Sequence, residues 1–239
     1  VGGYTKSVNT YSFAAAEVIV PHVIGHFRDY IYNQTSWTSV RDHCQLFVAF
    51  GGVALKNGQI GQGGLGRHVQ KESILEAHKN GVEFISVSPL RSDMIDDVDA
   101  AWLSIRPNSD AALMIGLCHV LLDEGLHDRP FLDRYCFGFD QFAEYLTGAS
   151  DGIVKDASWA GAICAIDAEA IKSLARHMAK SRTMLSFSWS LTRQAHGEQP
   201  FWAGITLAPM LGQIGLPGDG VGLGYSAVHT VVNHIQRLP

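Results

Sequence analysis

The feature that most constrains the fold is an alternation of short β-rich runs with segments of helical pattern. The β-rich runs lie at residues 46–50, 82–87 and 183–191. Strands that alternate with helices predict an α/β fold with a mostly parallel sheet flanked by helices. The predicted helices cover residues 70–80, a segment from a cap at Asn108, Ser109 or Asp110 to Gly125, two segments capped by Asp128 and Asp167, and residues 198–214.

The loops that follow the three β-rich runs are the natural places for a binding site. In a parallel α/β sheet, ligands bind in the crevice beyond the carboxyl ends of the strands. Each of these loops carries one cation among small polar residues, namely Lys56, Arg91 and Arg193. A single cation is ordinarily a solvated surface residue. Three cations that converge on one crevice predict a ligand with phosphate groups.

Composition excludes several other classes of function. The 239 residues carry a net charge of −5, which gives no support for a nucleic-acid or anionic-membrane partner, and no apolar run reaches the length of a membrane span. The four cysteines form no Cys-x-x-Cys pair, which predicts free thiols and no iron–sulfur cluster in this segment. Because the chain opens at Val1, we interpret it as an internal fragment of a longer protein, and its compartment, periplasmic or cytoplasmic, is left open.

A glycine-rich motif at residues 61–66 fits the G-x-G-x-x-G fingerprint of dinucleotide-binding proteins. That fingerprint should turn directly from a strand into a helix, whereas here about ten residues separate it from Phe50. The acidic residue about twenty positions on is Glu83, at the start of the next β-rich run rather than its end. We therefore interpret the motif as a glycine-rich loop. A nicotinamide-dependent dehydrogenase, or a nucleotide-binding module without a redox role, stays as an alternative.

Several short segments, in order along almost the whole chain, resemble the dimethyl sulfoxide reductase family of molybdopterin oxidoreductases. The resemblance is closest to the branch of dimethyl sulfoxide, trimethylamine N-oxide and biotin sulfoxide reductases. The matching segments lie at residues 11–16 with 21–22, 88–91, 106–113, 124–128, 139–142, 196–199 and 212–218. This family implies a Rossmann-like α/β domain of a larger multidomain enzyme. We expect residues 1–25 to be a metal-ligand segment and residues 26–239 to be the cofactor-binding domain.

The resemblance implies a molybdenum ion held by two molybdopterin guanine dinucleotides, with Ser12 as the protein ligand to the metal and the catalytic residue. An alkoxide is a hard oxygen donor that suits high-valent molybdenum. The implied reaction is two-electron oxygen-atom transfer from dimethyl sulfoxide, trimethylamine N-oxide, or biotin or methionine sulfoxide to Mo(IV). The electron donor would be a cytochrome, or a quinol-linked or thiol/NADPH-linked protein. Without the resemblance, Ser12 would be interpreted as the N-cap of a helix over residues 13–20.

The resemblance also implies contacts to the dinucleotides. Lys56 and Arg193 match phosphate-binding positions, Asp110 can accept paired N–H donors from a guanine edge or cap a helix, and the indole of Trp189 can pack against the cofactor. Many relatives have Asn where this chain has Ser88. The full set of implied contacts is Ser12, Lys56, Asn57, Val87, Ser88, Asn108, Ser109, Asp110, Trp189, Ser190 and Arg193.

Two pairs of residues suggest other chemistry. His22 and His26 lie four apart and could share a metal on a helix, but Pro21 and Gly25 weaken that helix, so we interpret both histidines as structural. We interpret residues 196–198 as packing near the cofactor rather than as an acid–base pair. Formate dehydrogenases and nitrate reductases remain alternatives within the superfamily, although they usually present Cys, selenocysteine or Asp to the metal.

Overall fold

The computed structural model describes residues 2–5, 10, 12–58 and 68–225, and the statements below concern these residues. The glycine-rich motif at residues 61–66 lies outside them, so the structure does not test the nicotinamide alternative that depends on this motif.

The centre of the fold is a sheet of five parallel strands. Its strands are β1 (Leu46–Phe50), β2 (Glu83–Val87), β3 (Ala101–Leu103), β4 (Thr183–Phe187) and β5 (Gly220–Leu223), and they lie in the order β3-β2-β1-β4-β5. Every neighbouring pair is parallel, with Phe50 opposite Val87 on one side and Phe187 on the other. The predicted α/β fold with a parallel sheet is therefore confirmed.

Helices cover both faces of this sheet. Within the described residues they are α1 (Ala14–Val23), α2 (Phe27–Tyr32), α3 (Trp37–His43), α4 (Gln70–Lys79), α5 (Asp110–Asp123), α6 (Arg129–Tyr135), α7 (Phe139–Leu146), α8 (Ala157–Cys164), α9 (Ala168–Lys180) and α10 (Gln199–Met210). The five predicted helices are all present, although α10 ends at Met210 rather than at residue 214. The caps at Asp128 and Asp167 are confirmed, since their carboxylates accept N–H donors from the first turns of α6 and α9.

The residues of β1 alternate between two apolar cores, one on each face of the sheet. Val48 and Phe50 belong to the larger core, and Phe47 and Ala49 to the smaller core. The larger core includes buried side chains of α5 and α8 to α10, and the smaller one includes side chains of α3 and α4. All five residues of β1 have no solvent exposure. Burial of a Phe or Leu side chain stabilises a fold by about 1.5–3 kcal/mol, so the side chains of β1 hold the sheet firmly between the two cores.

Three of the cysteines are buried and Cys136 is half-buried, and all four carry free thiols. None of the helices in the described parts of the chain is both long and apolar enough to cross a membrane.

Candidate functional site

The order of the strands places a crevice between β1 and β4. From β1 the chain moves to β2 and β3 on one side, and then continues to β4 and β5 on the other side. Loops that leave two adjacent parallel strands in opposite directions open a ligand-binding crevice at their carboxyl ends. Pairing of the two strands continues to that edge, where Ser188 N donates to Phe50 O at 2.9 Å. The predicted loops at residues 51–58 and 188–193 therefore lie side by side.

The backbone after β1 lies directly against both neighbouring loops. Gly51 has φ +76°, and a Cβ there would lie 2.8 Å from Ser188 Cβ and from Ser190 Oγ. Gly52 has φ +72°, and a Cβ there would lie 2.4 Å from Asp93 O. Only glycine allows both the left-handed conformation and these approaches. Neither glycine was predicted as part of the site, although a glycine pair directly after a buried strand is the signal that could have found them.

The loop after β4 presents a hydroxyl and a guanidinium at the crevice. The Ser190 hydroxyl donates to Ser188 Oγ at 3.0 Å, and the backbone N–H of Ser190 approaches the same oxygen at 3.3 Å. Arg193 follows in the same turn and is exposed. No carboxylate of residues 12–58 or 68–225 lies within ion-pair distance of its guanidinium. Arg193 is therefore a cation with no protein anion beside it in this part of the chain, and its guanidinium is free to pair with a phosphate.

The loops after β1 and β2 meet at Asp93. Lys56 has an exposed side chain, and its Nζ lies 3.5 Å from Asp93 Oδ1. The Ser88 hydroxyl donates to Asp93 Oδ2 at 2.6 Å and accepts from Leu90 N at 3.3 Å. Asn57 is half-buried in the turn that follows Ala54. Lys56 thus stands at the surface, whereas the Ser88 hydroxyl is already bonded within the protein.

Val87 and Ser88 are completely buried, and their carbonyl groups are also bonded within the protein. Val87 O accepts from Gly51 N at 2.8 Å, and Ser88 O accepts from the indole N–H of Trp102 at 2.8 Å. The structure therefore places both residues at the base of the site, where they support the loops that flank the crevice. Asp93, which was not among the predicted residues, carries the polar group that lies nearer the surface.

Asn108, Ser109 and Asp110 follow β3, about 10 Å from β1 at the usual strand spacing. Asn108 is exposed with φ +66°, and the Ser109 hydroxyl donates to Arg106 O at 2.6 Å instead of capping α5. Asp110 is 4% exposed, and burial raises the pKa of its carboxyl to about 6. Asp110 is therefore as buried as Trp189, and its contact with the paired N–H donors of a guanine edge stays a prediction.

The segment of Ser12 is joined to the loop after β4 through the neighbouring residue, Phe13. The Phe13 ring lies 5.4 Å from the Trp189 ring and 5.9 Å from the Phe27 ring, measured between centroids. Ser12 itself is exposed, and its backbone N–H donates to Thr10 Oγ1 at 3.2 Å. The alternative role of Ser12 as a helix cap is wrong, because α1 begins after Phe13 without any side-chain cap.

Trp189 is only 7% exposed and packs among aromatic rings. Its neighbours include Phe13, Phe27 and Phe201, and a Cβ on Gly224 would lie 2.1 Å from the indole. Little of the indole is left for a ligand, so its main contribution is to hold the segment of Ser12 at the end of β4.

The histidines take structural positions. His26 caps α2, where its Nδ1 accepts from Asp29 N at 3.4 Å, and His22 lies exposed in the last turn of α1. His196 is exposed with φ +57°, and a Cβ on the next residue, Gly197, would lie 2.1 Å from Thr192 O. Residues 196–198 therefore form a tight turn against the loop after β4.

Comparison with known proteins identifies the family. Residues 2–237 match the family model described as molybdopterin oxidoreductase. The chain is 44% identical to a biotin sulfoxide reductase and 43% identical to a dimethyl sulfoxide/trimethylamine N-oxide reductase, both of Cereibacter sphaeroides, over 95% and 94% of its length. It is 40% identical to a trimethylamine-N-oxide reductase of Haemophilus influenzae over 94% of its length. It covers 31%, 27% and 27% of these three relatives, so it spans less than a third of their length.

A solved structure gives the same result for the fold. Acetylene hydratase from Pelobacter acetylenicus superimposes with a TM-score of 0.58 at 22% identity, over 73% of this chain and 22% of that one. The family model matches nearly all residues of the chain, and the three relatives are 40–44% identical to it. The chain belongs to the molybdopterin oxidoreductase family.

Proposed function

We propose that this chain is the cofactor-binding part of a molybdenum-dependent reductase of S-oxides or N-oxides. The observation that supports the proposal is the contact between Trp189, in the loop after β4, and Phe13, the neighbour of the exposed Ser12. The relatives supply the substrate class, since their names describe reductases of biotin sulfoxide, dimethyl sulfoxide and trimethylamine N-oxide. The electron donor belongs to the proposal as well, as a cytochrome or a quinol-linked or thiol/NADPH-linked protein.

The residues of the crevice fit a molybdopterin guanine dinucleotide. Gly51 lets the backbone after β1 turn tightly against the loop after β4, so that the two loops meet at the strand ends where a diphosphate would bind. Arg193 and Lys56 offer two cations for the phosphates. The buried Asp110 carboxyl offers acceptors for the two N–H groups of a guanine edge. We propose that one of two such dinucleotides binds here, without an iron–sulfur cluster in this segment.

Each residue would have a defined part in the reaction. When bound, the molybdenum centre supplies two-electron oxygen-atom transfer. Ser12 Oγ would serve as a hard oxygen ligand after loss of its proton. Lys56 and Arg193 would neutralise the diphosphate, and Asp110 would orient the guanine. Phe13 and Trp189 would exclude water around the Ser12 segment and keep its hydroxyl in place. A serine at this position favours oxide reduction over the chemistry of relatives with a thiolate or carboxylate ligand.

The proposal is tested on the full-length enzyme, produced with an intact cofactor pathway. We expect bound molybdenum by elemental analysis, and oxidation of a reduced viologen dye with dimethyl sulfoxide or trimethylamine N-oxide but not with formate or nitrate. Ser12→Ala should lower turnover by a factor of at least about 100, because it removes a metal ligand. Ser150→Ala, at an exposed position between α7 and α8, is the control and should leave turnover unchanged. A parent enzyme without molybdenum would refute the proposal, and unchanged turnover in Ser12→Ala would remove Ser12 from the metal.

A further inference from the structure

Asp93 connects the loop after β1 with the loop after β2 through both its backbone and its side chain. Its carbonyl oxygen accepts from Val53 N at 2.8 Å, in the space that the missing side chain of Gly52 leaves open. Its carboxylate accepts the Ser88 hydroxyl on Oδ2 and faces the ammonium of Lys56 on Oδ1. Its side chain is 16% exposed, so the carboxylate lies just below the surface where the loops after β1 and β2 meet.

The two partners of this carboxylate differ in strength. The bond from Ser88 is short, at 2.6 Å, and it joins a completely buried hydroxyl to a charged acceptor, which makes it strong and fixed in direction. The ion pair with Lys56 is long, at 3.5 Å, and the lysine side chain is 68% exposed. Ser88 therefore fixes the carboxylate, and the carboxylate in turn holds Lys56 loosely. A loosely held ammonium can turn to a ligand phosphate without losing a strong bond.

We propose that Asp93 is a positioning residue of the dinucleotide site, which holds Lys56 at the mouth of the crevice for a ligand diphosphate. This inference rests on the function proposed above. Lysine has a flexible four-carbon side chain, and the carboxylate attracts its ammonium towards the strand ends without a strong bond that a ligand would have to break. Arg193 on the opposite side of the crevice has no such carboxylate among the described residues, and its planar guanidinium depends less on one.

The probe for this role is guanosine diphosphate, titrated calorimetrically into the full-length enzyme produced without a cofactor pathway. Asp93→Asn keeps the size and the acceptor for Ser88 but removes the charge, and we expect it to weaken binding about tenfold. In a Lys56→Gln background, the same change should have almost no further effect, since Asp93 acts through Lys56. Asp97→Asn is the matched control, because Asp97 lies 3.6 Å from Lys71 in an exposed ion pair on the same segment. It should leave the affinity unchanged.

A second variant keeps the test decisive if Asp93→Asn does not fold. Ser88→Ala removes the hydroxyl that fixes the carboxylate and leaves the backbone contacts of Asp93 intact. Binding of guanosine diphosphate should therefore weaken about threefold when Lys56 is present and stay unchanged in the Lys56→Gln background. Two outcomes would overturn the role of Asp93 in a parent enzyme that binds guanosine diphosphate. One is a loss of affinity that is equal in the parent and in the Lys56→Gln background, and the other is an unchanged affinity in Asp93→Asn. A parent enzyme that does not bind guanosine diphosphate would overturn this inference alone, whereas enzyme produced with the cofactor pathway that contains no molybdenum would refute the proposed function as well.

Discussion

Replacement of Asp219 by asparagine should stabilise the protein above neutral pH and have little effect near pH 4. Asp219 lies directly before β5 and is 3% exposed. Neither of its carboxylate oxygens has a hydrogen-bond partner among the described residues. Burial raises the pKa of this carboxyl to about 7, and the charge of Arg182 offsets only part of that effect. The folded protein is therefore destabilised by an isolated buried charge whenever this group ionises.

The pKa gives the size and the sign of the effect. In the unfolded chain the carboxyl has its ordinary pKa of 3.8, so the folded state holds the proton about three pH units more strongly. Each pH unit corresponds to about 1.4 kcal/mol, which makes the total about 4 kcal/mol. Because the folded pKa is raised, this stability is fully present below about pH 4 and is lost as the pH rises through about 7. Asparagine stays neutral, so it avoids the loss.

Urea unfolding of the parent and of Asp219→Asn at about pH 4, 6 and 8 measures the difference. We expect a gain of about 4 kcal/mol at pH 8 and less than about 1 kcal/mol at pH 4, which is large against a total stability of about 5–15 kcal/mol. Asp96→Asn, at an exposed carboxyl, is the control and should change stability by less than about 0.5 kcal/mol at each pH. A gain of the same size at pH 4 and pH 8 would show that this carboxyl does not titrate in that range.

Two further pairs of substitutions test the local structure. Asp167→Ala should lower the free energy of unfolding in urea by about 1 kcal/mol, because it removes the cap of α9, whereas Ser109→Ala should leave the capping of α5 unaffected. Equal losses of α-helix by circular dichroism in the two variants would contradict this difference. Gly51→Ala and Gly125→Ala both place alanine in a left-handed conformation at a cost of about 1–2 kcal/mol. Only the methyl group of Gly51→Ala also clashes with Ser188 and Ser190, so this variant should lose about 1 kcal/mol more stability and lower the molybdenum content of the full-length enzyme. Equal effects of the two variants would show that the crevice tolerates a methyl group at this position.

The central strands were predictable from the sequence, and the edge strands were not. β1 is buried on both faces and is a continuous apolar run, whereas β2 and β4 combine aromatic and aliphatic residues with a serine, which is still typical of a strand. β3 has three residues, none of them buried, and β5 contains two glycines, so neither carries a local pattern. Both exist because β2 and β4 offer free edges to pair with. The long β-rich run at residues 183–191 ends at Phe187, since Trp189 begins a 3-10 turn.

The positions of Lys56, Arg91 and Arg193 after strands were also predictable from the sequence, and their role in a phosphate site stays a prediction. Their supports were not predictable. The bond between Ser88 and Asp93, and the approach of Gly52 to Asp93, depend on the 3-10 turn Arg91–Asp93, which brings the carboxylate back over the strand end. The same bond explains why Ser88 was predicted as a ligand contact but lies buried: its position after β2 is correct, yet its hydroxyl bonds to the protein.

The position of Ser12 follows from packing rather than from any local signal. Nothing in the neighbouring sequence marks its hydroxyl, and α1 begins without using it. The rings of Phe13, Phe27 and Trp189 join three segments that are distant in sequence, and Trp189 stands directly after the strand that borders the crevice. Aromatic burial of this kind is fixed by the core and not by the ligand. Such a cluster joins the segment of Ser12 to the loop after β4, and the role of the hydroxyl as a metal ligand stays a prediction that Ser12→Ala tests.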